Sequence, residues 1–515
     1  MSILSVNGLT HSYDGKVLFE KASFNVNARE HIGIVGFNGA GKSTFVNIIA
    51  KKVMQDDGEV LWQNGVRFGY LDQHADIDRK CSVMDYLKTS FVNLTDIENR
   101  LNQLYLDMGD MTDMDEMEKA CERTAKMQEH LVDNGYYEMD ATIKKIANGI
   151  GINSIGYDTV IGTLSGGQRA KVMLAKLLLD DYDMIMLDEP TNFLDLEHIE
   201  WLAKFLETYK GTFLLVSHDT SFLNRVTTFI LSIENHEIKK YPGNYDSFLL
   251  AHENNQKQYA EAYERQQRDI KKMEDYIAKN KARAATAGMA NSRKKMLEKI
   301  DVMSKPVTVL PSEFHFECNS LMTKDMVDVK NLEIGYSKSL LPPISLHLEG
   351  DDKLWVRGTN GIGKSTLVKT LMQIIPRLGG RFNININAKI GYLEQDFAFS
   401  NIYGSAIEYL TEVYARMSQK EIRSLLASVG LKGDLATKSI SNLSGGEQVR
   451  AKIAALERKE TNLLILDEPT NHLDVLAKAE LLRALQAYPG AIILVSHEID
   501  FANALCNKIF DAEKF

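Results

Sequence analysis

Two phosphate-binding loops of the pattern GxxxxGK[ST] occur in this chain of 515 residues. Residues 36–44 (GFNGAGKST) follow an apolar run and precede a helix-like segment, and residues 358–366 (GTNGIGKST) repeat that order. The glycines let backbone N–H groups turn toward a phosphate, and the N-terminus of the following helix adds partial positive charge. Two matches in the same context predict two α/β lobes that each bind ATP.

The offset between matching positions of the two copies changes once along the chain. It is 322 for the loop lysines, Lys42 and Lys364, and again for Gln73 and Gln395. It falls to 279 at the serine motif and keeps that value in the later motifs. The first copy therefore holds about 43 additional residues between its glutamine and its serine motif. We expect an α/β fold whose parts are a first domain at 1–247 with an insertion at about 85–149, a linker at 248–306 and a second domain at 307–515.

Composition excludes several classes of protein. No stretch approaches the ~18 consecutive apolar residues of a membrane helix, and residues 1–5 lack the basic and apolar segments of a signal peptide. The four cysteines form no closely spaced metal-binding pair, so we expect free thiols in a cytoplasmic protein. The net charge of −10 argues against nonspecific coating of nucleic acid, but a local basic element is compatible with it.

Each residue type in the phosphate loops has an expected task. Lys42 and Lys364 reach the β- and γ-phosphates, while the hydroxyls of Ser43 and Ser365 bind Mg²⁺. The predicted ATP-binding residues of the two loops are Gly36, Asn38, Gly39, Gly41, Lys42, Ser43, Thr44, Gly358, Asn360, Gly361, Gly363, Lys364, Ser365 and Thr366.

Two apolar runs, one in each copy, end in an Asp-Glu pair. Such runs are typical of strands that are buried on both faces of a parallel sheet, and the ligand lies at the carboxyl ends of these strands. Asp188 and Asp467 are predicted to hold Mg²⁺, directly or through water. Glu189 and Glu468 are predicted to polarise the attacking water during phosphoryl transfer.

A histidine follows each of these aspartates at the same interval, at the end of another apolar strand. Taken alone, such a histidine is most often structural. Because His218 and His497 recur at the same place in both copies, we interpret them as catalytic-site sensors of the γ-phosphate.

The segments LSGGQR at 164–169 and LSGGEQ at 443–448 resemble the signature motif of ABC ATPases, and the two DEPTN segments strengthen the resemblance. With tandem lobes and a charged linker, nearly the whole chain is similar to the ABC-F class. This resemblance implies two ABC-type ATPase domains, a long helical-hairpin linker between them, and a helical arm inserted in the first domain. It also implies hydrolysis of ATP with Mg²⁺.

In that family, two lobes meet head to tail and enclose two ATP molecules. By resemblance, the phosphate loop of Lys42 faces Ser444, and the loop of Lys364 faces Ser165. Because one chain carries both lobes, a monomer suffices for both ATP sites. The signature glycines that complete the γ-phosphate cages are Gly166, Gly167, Gly445 and Gly446.

Two further pairs receive their roles from the resemblance alone. Tyr13 and Tyr336 resemble the aromatic residue that stacks on adenine, and a tyrosine of the core is the alternative for each. Gln73 and Gln395 resemble the glutamine that contacts Mg²⁺ and the attacking water.

A third pair, Asp195 and Asp474, resembles the aspartates that couple the two sites. The family usually has His two residues before this aspartate, as at residue 472, whereas the first copy has Phe193. This departure concerns coupling and not hydrolysis, so we expect two competent sites.

The inserted segment predicts two antiparallel helices with an acidic tip. Apolar residues recur at helical spacing in 91–101 and in 117–131, and the polar stretch 107–116 lies between them. In the family this insertion is the arm, which reaches the tRNA exit region of the ribosome. Because phosphates repel an acidic tip, it either contacts a basic ribosomal protein or is simply solvated.

The linker predicts a helical hairpin with a basic tip. Residues 256–281 favour a long solvated helix, and the stretch 279–295 holds six basic residues and no acidic one. Charge of one sign favours a nucleic-acid contact over a passive tether. The resemblance names large-subunit rRNA and P-site tRNA as the target. The candidate RNA contacts are Lys281, Arg283, Arg293, Lys294 and Lys295.

The sequence therefore predicts an ATPase that acts on the ribosome. Two versions stay open, a translation factor that relieves stalled ribosomes and an antibiotic-resistance protein that protects ribosomes, and the short hairpin tip favours the first. Alternatives of other classes are the ATPase subunit of a membrane transporter, which has no use for a basic linker, and a DNA-repair ATPase, some of which carry zinc cysteines that this sequence lacks.

Overall fold

The structure is a computed structural model with two α/β lobes, one for each copy of the phosphate loop, as the sequence predicted. Each lobe combines a central, mainly parallel sheet with a small antiparallel sheet. The described residues are 2–13, 15–37, 39–71, 79–111, 113–280, 292, 295–297, 313–319, 325–359, 361–394, 399, 401–471 and 473–514.

The first lobe contains nine of the described strands and begins with a long antiparallel pair. The strands are β1 Ser2–Tyr13, β2 Lys16–Asn27, β3 His31–Gly36, β4 Asp57–Trp62, β5 Phe68–Tyr70, β6 Met184–Asp188, β7 Thr212–Val216, β8 Phe229–Glu234 and β9 Glu237–Pro242. The α-helices are α1 Lys42–Ile49, α2 Val83–Lys88, α3 Val92–Met108, α4 Met114–Asp133, α5 Met139–Ile150, α6 Gly166–Leu179, α7 Leu196–Glu207, α8 Thr220–Val226 and α9 Tyr245–Asn280.

The second lobe repeats this order among the residues that the structure describes. Its strands are β10 Val327–Glu333, β11 Ile344–Leu348, β12 Lys353–Arg357, β13 Gly379–Ile384, β14 Ile390–Leu393, β15 Leu463–Asp467, β16 Ala491–Val495 and β17 Lys508–Asp511. Its α-helices are α10 Lys364–Leu371, α11 Ala406–Val413, α12 Gln419–Ser428, α13 Asp434–Thr437, α14 Gly445–Glu457, α15 Val475–Ala487 and α16 Ile499–Leu505.

The strand order of the central sheets explains why the motifs meet. The order is β5-β6-β7-β3-β8-β9 in the first lobe and β14-β15-β16-β12-β17 in the second, so the first five positions correspond. The first four residues of β6 and all of β15 are buried, as expected for strands covered on both faces. Since neighbouring strands of this region are parallel, their carboxyl ends lie at one edge of the sheet.

The insertion in the first lobe forms the predicted pair of helices. Helices α3 and α4 pack side by side in antiparallel orientation, and Tyr105 Oη on α3 donates a hydrogen bond of 3.3 Å to Gln128 Oε1 on α4. Leu101 and Leu131 are buried, whereas most other side chains of the two helices are at least partly exposed.

The acidic tip of this insertion has a local structural cause. Asp113 is the N-cap of α4, and its carboxylate accepts a hydrogen bond of 3.0 Å from Asp115 N. Asp115 and Glu116 lie in the first turn of α4, where carboxylates interact favourably with the helix dipole. Three acidic groups of the tip therefore stabilise the start of α4.

The linker begins with α9, a helix of 36 residues. At 1.5 Å per residue, this helix is about 54 Å long. Its first turn is anchored in the first lobe, where Tyr245 and Phe248 are buried and His252 Nε2 lies 2.7 Å from Glu234 Oε2. The helix starts three residues before the predicted linker boundary. Within the described parts of the chain, no helix is both long and apolar enough to span a membrane.

The return limb of the predicted hairpin is described only at residues 292 and 295–297, which are helical. Further along, Phe314 and Phe316 are buried in the core of the second lobe, and Glu313 N donates to Ser428 O. The hairpin and the domain boundaries therefore remain predictions.

Candidate functional site

A cavity of about 980 Å³ lies between the two lobes. Both phosphate loops and both serine motifs line it, including Lys42, Lys364, Ser165 and Ser444. The residues that were predicted from separate halves of the chain therefore line one shared cavity.

The lobes are related by an approximate two-fold axis that passes near their contact. Ser221 Oγ donates a hydrogen bond of 2.6 Å to Asp500 Oδ2, and the offset between these two positions is 279. That value is the sequence offset between matching residues in this part of the chain. Ser221 and Asp500 therefore occupy the same position in the two copies and contact each other. Equivalent positions meet in this way at a two-fold axis.

The phosphate loops hold their lysines against backbone carbonyls. Lys42 Nζ donates to Gly36 O at 2.9 Å and to Phe37 O at 3.2 Å. Gly41 has a φ of +95°, and a Cβ at this position would lie 3.0 Å from the ring of Phe19, so the turn requires glycine. Lys364 Nζ repeats the pattern at 2.7 and 3.1 Å with carbonyls of its own loop.

The first lobe brings together oxygen donors that suit Mg²⁺. The Asp188 carboxylate, at the end of β6, accepts a hydrogen bond from the Ser43 hydroxyl at the start of α1. Burial raises the pKa of Asp188, while Ser43 and Lys42 act in the opposite direction. Hydroxyl and carboxylate oxygens are hard ligands of the kind that Mg²⁺ prefers. Ser365 and Asp467 line the same cavity in the second lobe.

Both predicted catalytic glutamates have left-handed backbone conformations, and Glu468 is buried whereas the Glu189 side chain is 16% exposed. The φ angles are +48° at Glu189 and +52° at Glu468. Such angles are uncommon outside glycine and cluster at functional sites. Burial raises the pKa of Glu189 to about 7 and that of Glu468 to about 8. Because the left-handed backbone occurs at the same position of both copies, we infer that both sites require it.

Each glutamate contacts the histidine that ends the neighbouring strand. His218 N donates to Glu189 Oε2 at 3.3 Å, and His497 N donates to Glu468 Oε2 at 3.3 Å. The histidine rings also approach the carboxylates, with Nε2–Oε1 distances of 3.5 and 3.3 Å. Burial, with a contribution from Lys364, lowers the pKa of His497 to about 4, so its ring is neutral near pH 7.

The signature serines begin helices that point into the cavity. Ser165 is the N-cap of α6, where its Oγ accepts from Gln168 N while Gln168 Oε1 accepts from Ser165 N. Ser444 forms the same capping box with Glu447 at the start of α14. The N-terminus of a helix favours an anion, which is what a bound γ-phosphate provides.

The first phosphate loop faces the signature motif of the second copy. A Cβ at Gly39 would lie 4.0 Å from Glu447 Oε1, which belongs to the second lobe. The first phosphate loop, which carries Lys42, therefore approaches the helix that Ser444 begins.

The paired aspartates reach across the interface electrostatically. Asp474 of the second lobe raises the pKa of Lys42, and Asp195 of the first lobe raises that of Lys364, in both cases against a larger lowering by burial. Each phosphate-loop lysine therefore interacts with a negative charge from the opposite lobe.

Sequence reasoning missed the basic residues that hold these aspartates. Lys171 Nζ on α6 lies 3.1 Å from Asp195 Oδ2, and Arg450 Nη2 on α14 lies 2.5 Å from Asp474 Oδ2. Lys171 and Arg450 occupy matching positions of the two copies, each on the helix that its signature serine begins. The recurrence of a basic residue at that position was a signal available in the sequence.

The remaining predicted residues divide into three groups. The side chains of Tyr13 and Tyr336 are 67% and 69% exposed, so neither tyrosine belongs to the core. Tyr336 lines the cavity, whereas Tyr13 does not. Four predicted residues lie outside the described residues: Asn38, Gln73, Asn360 and Gln395. The other predicted ATP-site residues line the cavity, except for Gly36, Gly166 and Gly358, which lie outside its wall.

Phe193, which replaces the usual histidine, packs beside the signature motif of its own lobe. A Cβ at Gly167 would lie 3.8 Å from Phe193 Cβ. Phe193 also lines the cavity and packs against the core of the first lobe. The residue therefore provides an apolar support under the signature loop.

Comparisons with known proteins agree with the presence of two ATP-binding lobes. A protein-family profile described as "ABC transporter" matches residues 19–192 and 341–471, and a second profile with the same description matches 231–316. The chain is 42% identical to the uncharacterized ABC transporter ATP-binding protein YfmM of Bacillus subtilis, over 100% of this chain and 99% of that protein. It is 30% identical to ABC transporter F family member 5 of Arabidopsis thaliana, over 99% of this chain and 75% of that protein. The chain belongs to the ABC-F ATPases.

Solved structures resemble this ABC-F ATPase in fold. The archaeal ribosome recycling factor aABCE1, in complex with the ribosomal stalk protein aP1, has a TM-score of 0.60 at 18% identity, covering 98% of this chain and 87% of that chain. An RNase-L inhibitor has a TM-score of 0.58 at 17% identity, with the same coverage. As an ABC ATPase with both domains, the chain binds and hydrolyses ATP.

The geometry of the two glutamates predicts the outcome of replacing both. We expect that Glu189→Gln together with Glu468→Gln lowers ATP turnover by at least about a hundredfold, because Gln keeps the shape but cannot accept a proton from the attacking water. Phosphate release measures turnover. ATP binding, followed with a fluorescent analogue, should be retained.

A matched control is Glu59→Gln with Glu122→Gln, which changes the same number of carboxylates at exposed positions. This control should keep wild-type turnover. Wild-type turnover by the double variant of Glu189 and Glu468 would contradict the assignment of the catalytic base.

Proposed function

We propose that this ABC-F ATPase is a translation factor that acts on the ribosome and relieves stalled ribosomes. It binds near the tRNA exit site in its ATP-bound form, and its linker contacts P-site tRNA and the peptidyl-transferase region of large-subunit rRNA. The linker carries this proposal, since ATP hydrolysis alone does not distinguish it from other ABC functions.

The length of α9 supports a projecting linker. The helix has 36 residues, or about 54 Å, and only its beginning is buried in the first lobe. From residue 253 onward most of its side chains are exposed or partly exposed. A helix anchored at one end in this way extends the chain well beyond the surface of a lobe.

The charge of the linker supports RNA as its target. The stretch 279–295 has six basic residues and no acidic one in a protein with a net charge of −10. Of the candidate contacts, Lys295 is helical and exposed. The other four, Lys281, Arg283, Arg293 and Lys294, lie outside the described residues. A concentrated basic segment attracts phosphates and releases their counterions on binding.

The comparisons add independent support. One structural neighbour is titled as a model of ribosome-bound archaeal Pelota and ABCE1, with a TM-score of 0.59 at 17% identity. That ribosome contact belongs to the neighbour, and this chain shares its two-lobed fold. The profile match at 231–316 shows that the linker region is also part of the family pattern.

The proposed ATPase cycle assigns a task to each part of the cavity. The loop lysines and the signature serines of opposite lobes hold the phosphates of each ATP, which draws the lobes together. The loop serines, Asp188, Asp467, Gln73 and Gln395 would hold Mg²⁺, which would neutralise phosphate charge when bound. Glu189 and Glu468 polarise the attacking water, and the two histidines contact the γ-phosphate. Hydrolysis removes that phosphate and lets the lobes separate.

Ribosome binding should depend on the nucleotide. We expect the variant Glu189→Gln, Glu468→Gln to co-sediment with ribosomes in ATP and to be released in ADP, because ATP holds the lobes closed and this variant does not hydrolyse it. Sucrose-cushion sedimentation measures the bound fraction. Equal binding in ATP and ADP, or none in either, would refute the ribosomal cycle.

The basic tip should determine the salt dependence of that binding. We expect Arg293→Gln, Lys294→Gln, Lys295→Gln to weaken ribosome binding and to reduce the slope of log affinity against log salt by about two, since three phosphate contacts are lost. The measurement is binding of the ATP-bound protein to purified ribosomes at several salt concentrations.

The matched control removes the same charge earlier in α9, with Arg268→Gln, Lys271→Gln and Lys272→Gln. These three residues are exposed and have acidic neighbours in the sequence, including Asp269 at 3.7 Å from Lys272. The control should keep the wild-type slope. A tip variant with the wild-type slope would show that the basic tip does not contact RNA.

A further inference from the structure

The two histidine loops, which follow β7 and β16, are supported in different ways. In the second lobe, Trp355 Nε1 donates a hydrogen bond of 3.0 Å to Ser496 O, next to His497. Trp355 is 1% exposed and belongs to the same lobe as that loop. The matching position of the first copy is Gly33, which has no side chain to donate.

The histidine loop of the first lobe is instead contacted by the opposite lobe. Lys478, on α15 of the second lobe, donates from Nζ to His218 O at 3.3 Å. The same Nζ donates to Glu498 Oε1 at 2.6 Å. The Lys478 side chain is 14% exposed, so this ammonium lies in a mostly buried interface.

The second site has no equivalent of this lysine. The position of the first copy that matches Lys478 is Ile199, which lines the cavity but cannot donate a hydrogen bond from its side chain. The copies therefore differ at two related positions: tryptophan and lysine in the second copy, glycine and isoleucine in the first. The second histidine loop therefore has an additional backbone contact from its own lobe, and the first has one from the opposite lobe.

We propose that Lys478 is a positioning residue for the first ATP site, which it completes from the opposite lobe by holding the His218 loop. This inference rests on the proposed roles of Glu189 and His218. Because His218 N donates to Glu189 Oε2, a displacement of the His218 backbone also displaces the glutamate that polarises water. The first site thus depends on a residue of the opposite lobe.

The contact with Glu498 gives the same lysine a second consequence. Glu498 directly follows His497, so the Lys478 ammonium bridges the histidine loops of both sites. A change at the second loop can reach the first loop through one side chain. A change at the first loop can reach the second through the same side chain, because coupling between two sites is reciprocal.

The test measures each site separately by single-turnover ATP hydrolysis with the protein in excess. Glu468→Gln leaves only the first site competent, and Glu189→Gln leaves only the second. In the first background, Lys478→Met should slow hydrolysis by about tenfold, since misplacement of the reacting groups lowers the rate of the chemical step. The protein concentration for half-maximal rate should change by less than about twofold, because the phosphate contacts remain.

Two comparisons separate positioning from loss of structure. Lys478→Arg keeps the charge and the donors, so it should restore most of the rate in the Glu468→Gln background. In the Glu189→Gln background, Lys478→Met should have a much smaller effect than in the other. The variant loses only a side-chain contact with Glu498 there, while Trp355 still holds the backbone of the second loop. Equal slowing at both sites, or no slowing at the first site, would overturn the proposal.

The outcome is distinct from a failure of the proposed function. If the double glutamine variant hydrolyses ATP at the wild-type rate, the catalytic roles themselves are wrong. If that variant is inactive but Lys478→Met leaves the first site unchanged, only the role of Lys478 is wrong. Ribosome binding enters neither measurement.

Discussion

Each phosphate-loop lysine is buried beside carboxylates, and one of these carboxylates belongs to the opposite lobe. Asp474 raises the pKa of Lys42, and Asp195 raises the pKa of Lys364. The two aspartates form ion pairs with Arg450 and Lys171 of their own lobes. A buried ammonium is unfavourable without nearby negative charge. Each lobe therefore contributes a negative charge near the phosphate-loop lysine of the other.

Each lobe also contributes different chemical groups to the cavity. The parallel sheet brings the phosphate loop, the carboxylates and the histidine to one edge of each lobe. The helix that Ser444 begins, however, lies on the opposite side of the interface, where its N-terminus approaches the phosphate loop of the first copy. Neither lobe alone provides both halves of a phosphate cage.

Much of this arrangement could be predicted from the sequence, because short motifs determine local chemistry. The change of offset located the insertion, and helical periodicity predicted α3 and α4 within it. The acidic tip was left unexplained, although an Asp followed by acidic residues at a helix start is a capping pattern visible in the sequence. The N-cap role of Asp113 now accounts for part of that charge.

The interface was harder to predict because it depends on side chains that are distant in the chain. No local pattern indicates that Lys478 lies against the distant His218 O, or that Trp355 holds the other histidine loop. Such contacts follow from the packing of whole lobes. They are also where the copies differ, so a motif comparison that looks for agreement passes over them.

The shared cavity requires the two copies to meet about a two-fold axis and to build both ATP sites together. The most direct test is cross-linking of Ser221→Cys with Asp500→Cys, since these positions are equivalent in the two copies and in contact. With ATP and a mild oxidant, we expect an intramolecular disulfide to form rapidly, which a non-reducing gel shows as a shift. The shift should be absent when only one of the two positions is replaced by cysteine. If both introduced thiols stay free in ATP while the protein still hydrolyses ATP, the two copies do not meet about this two-fold axis.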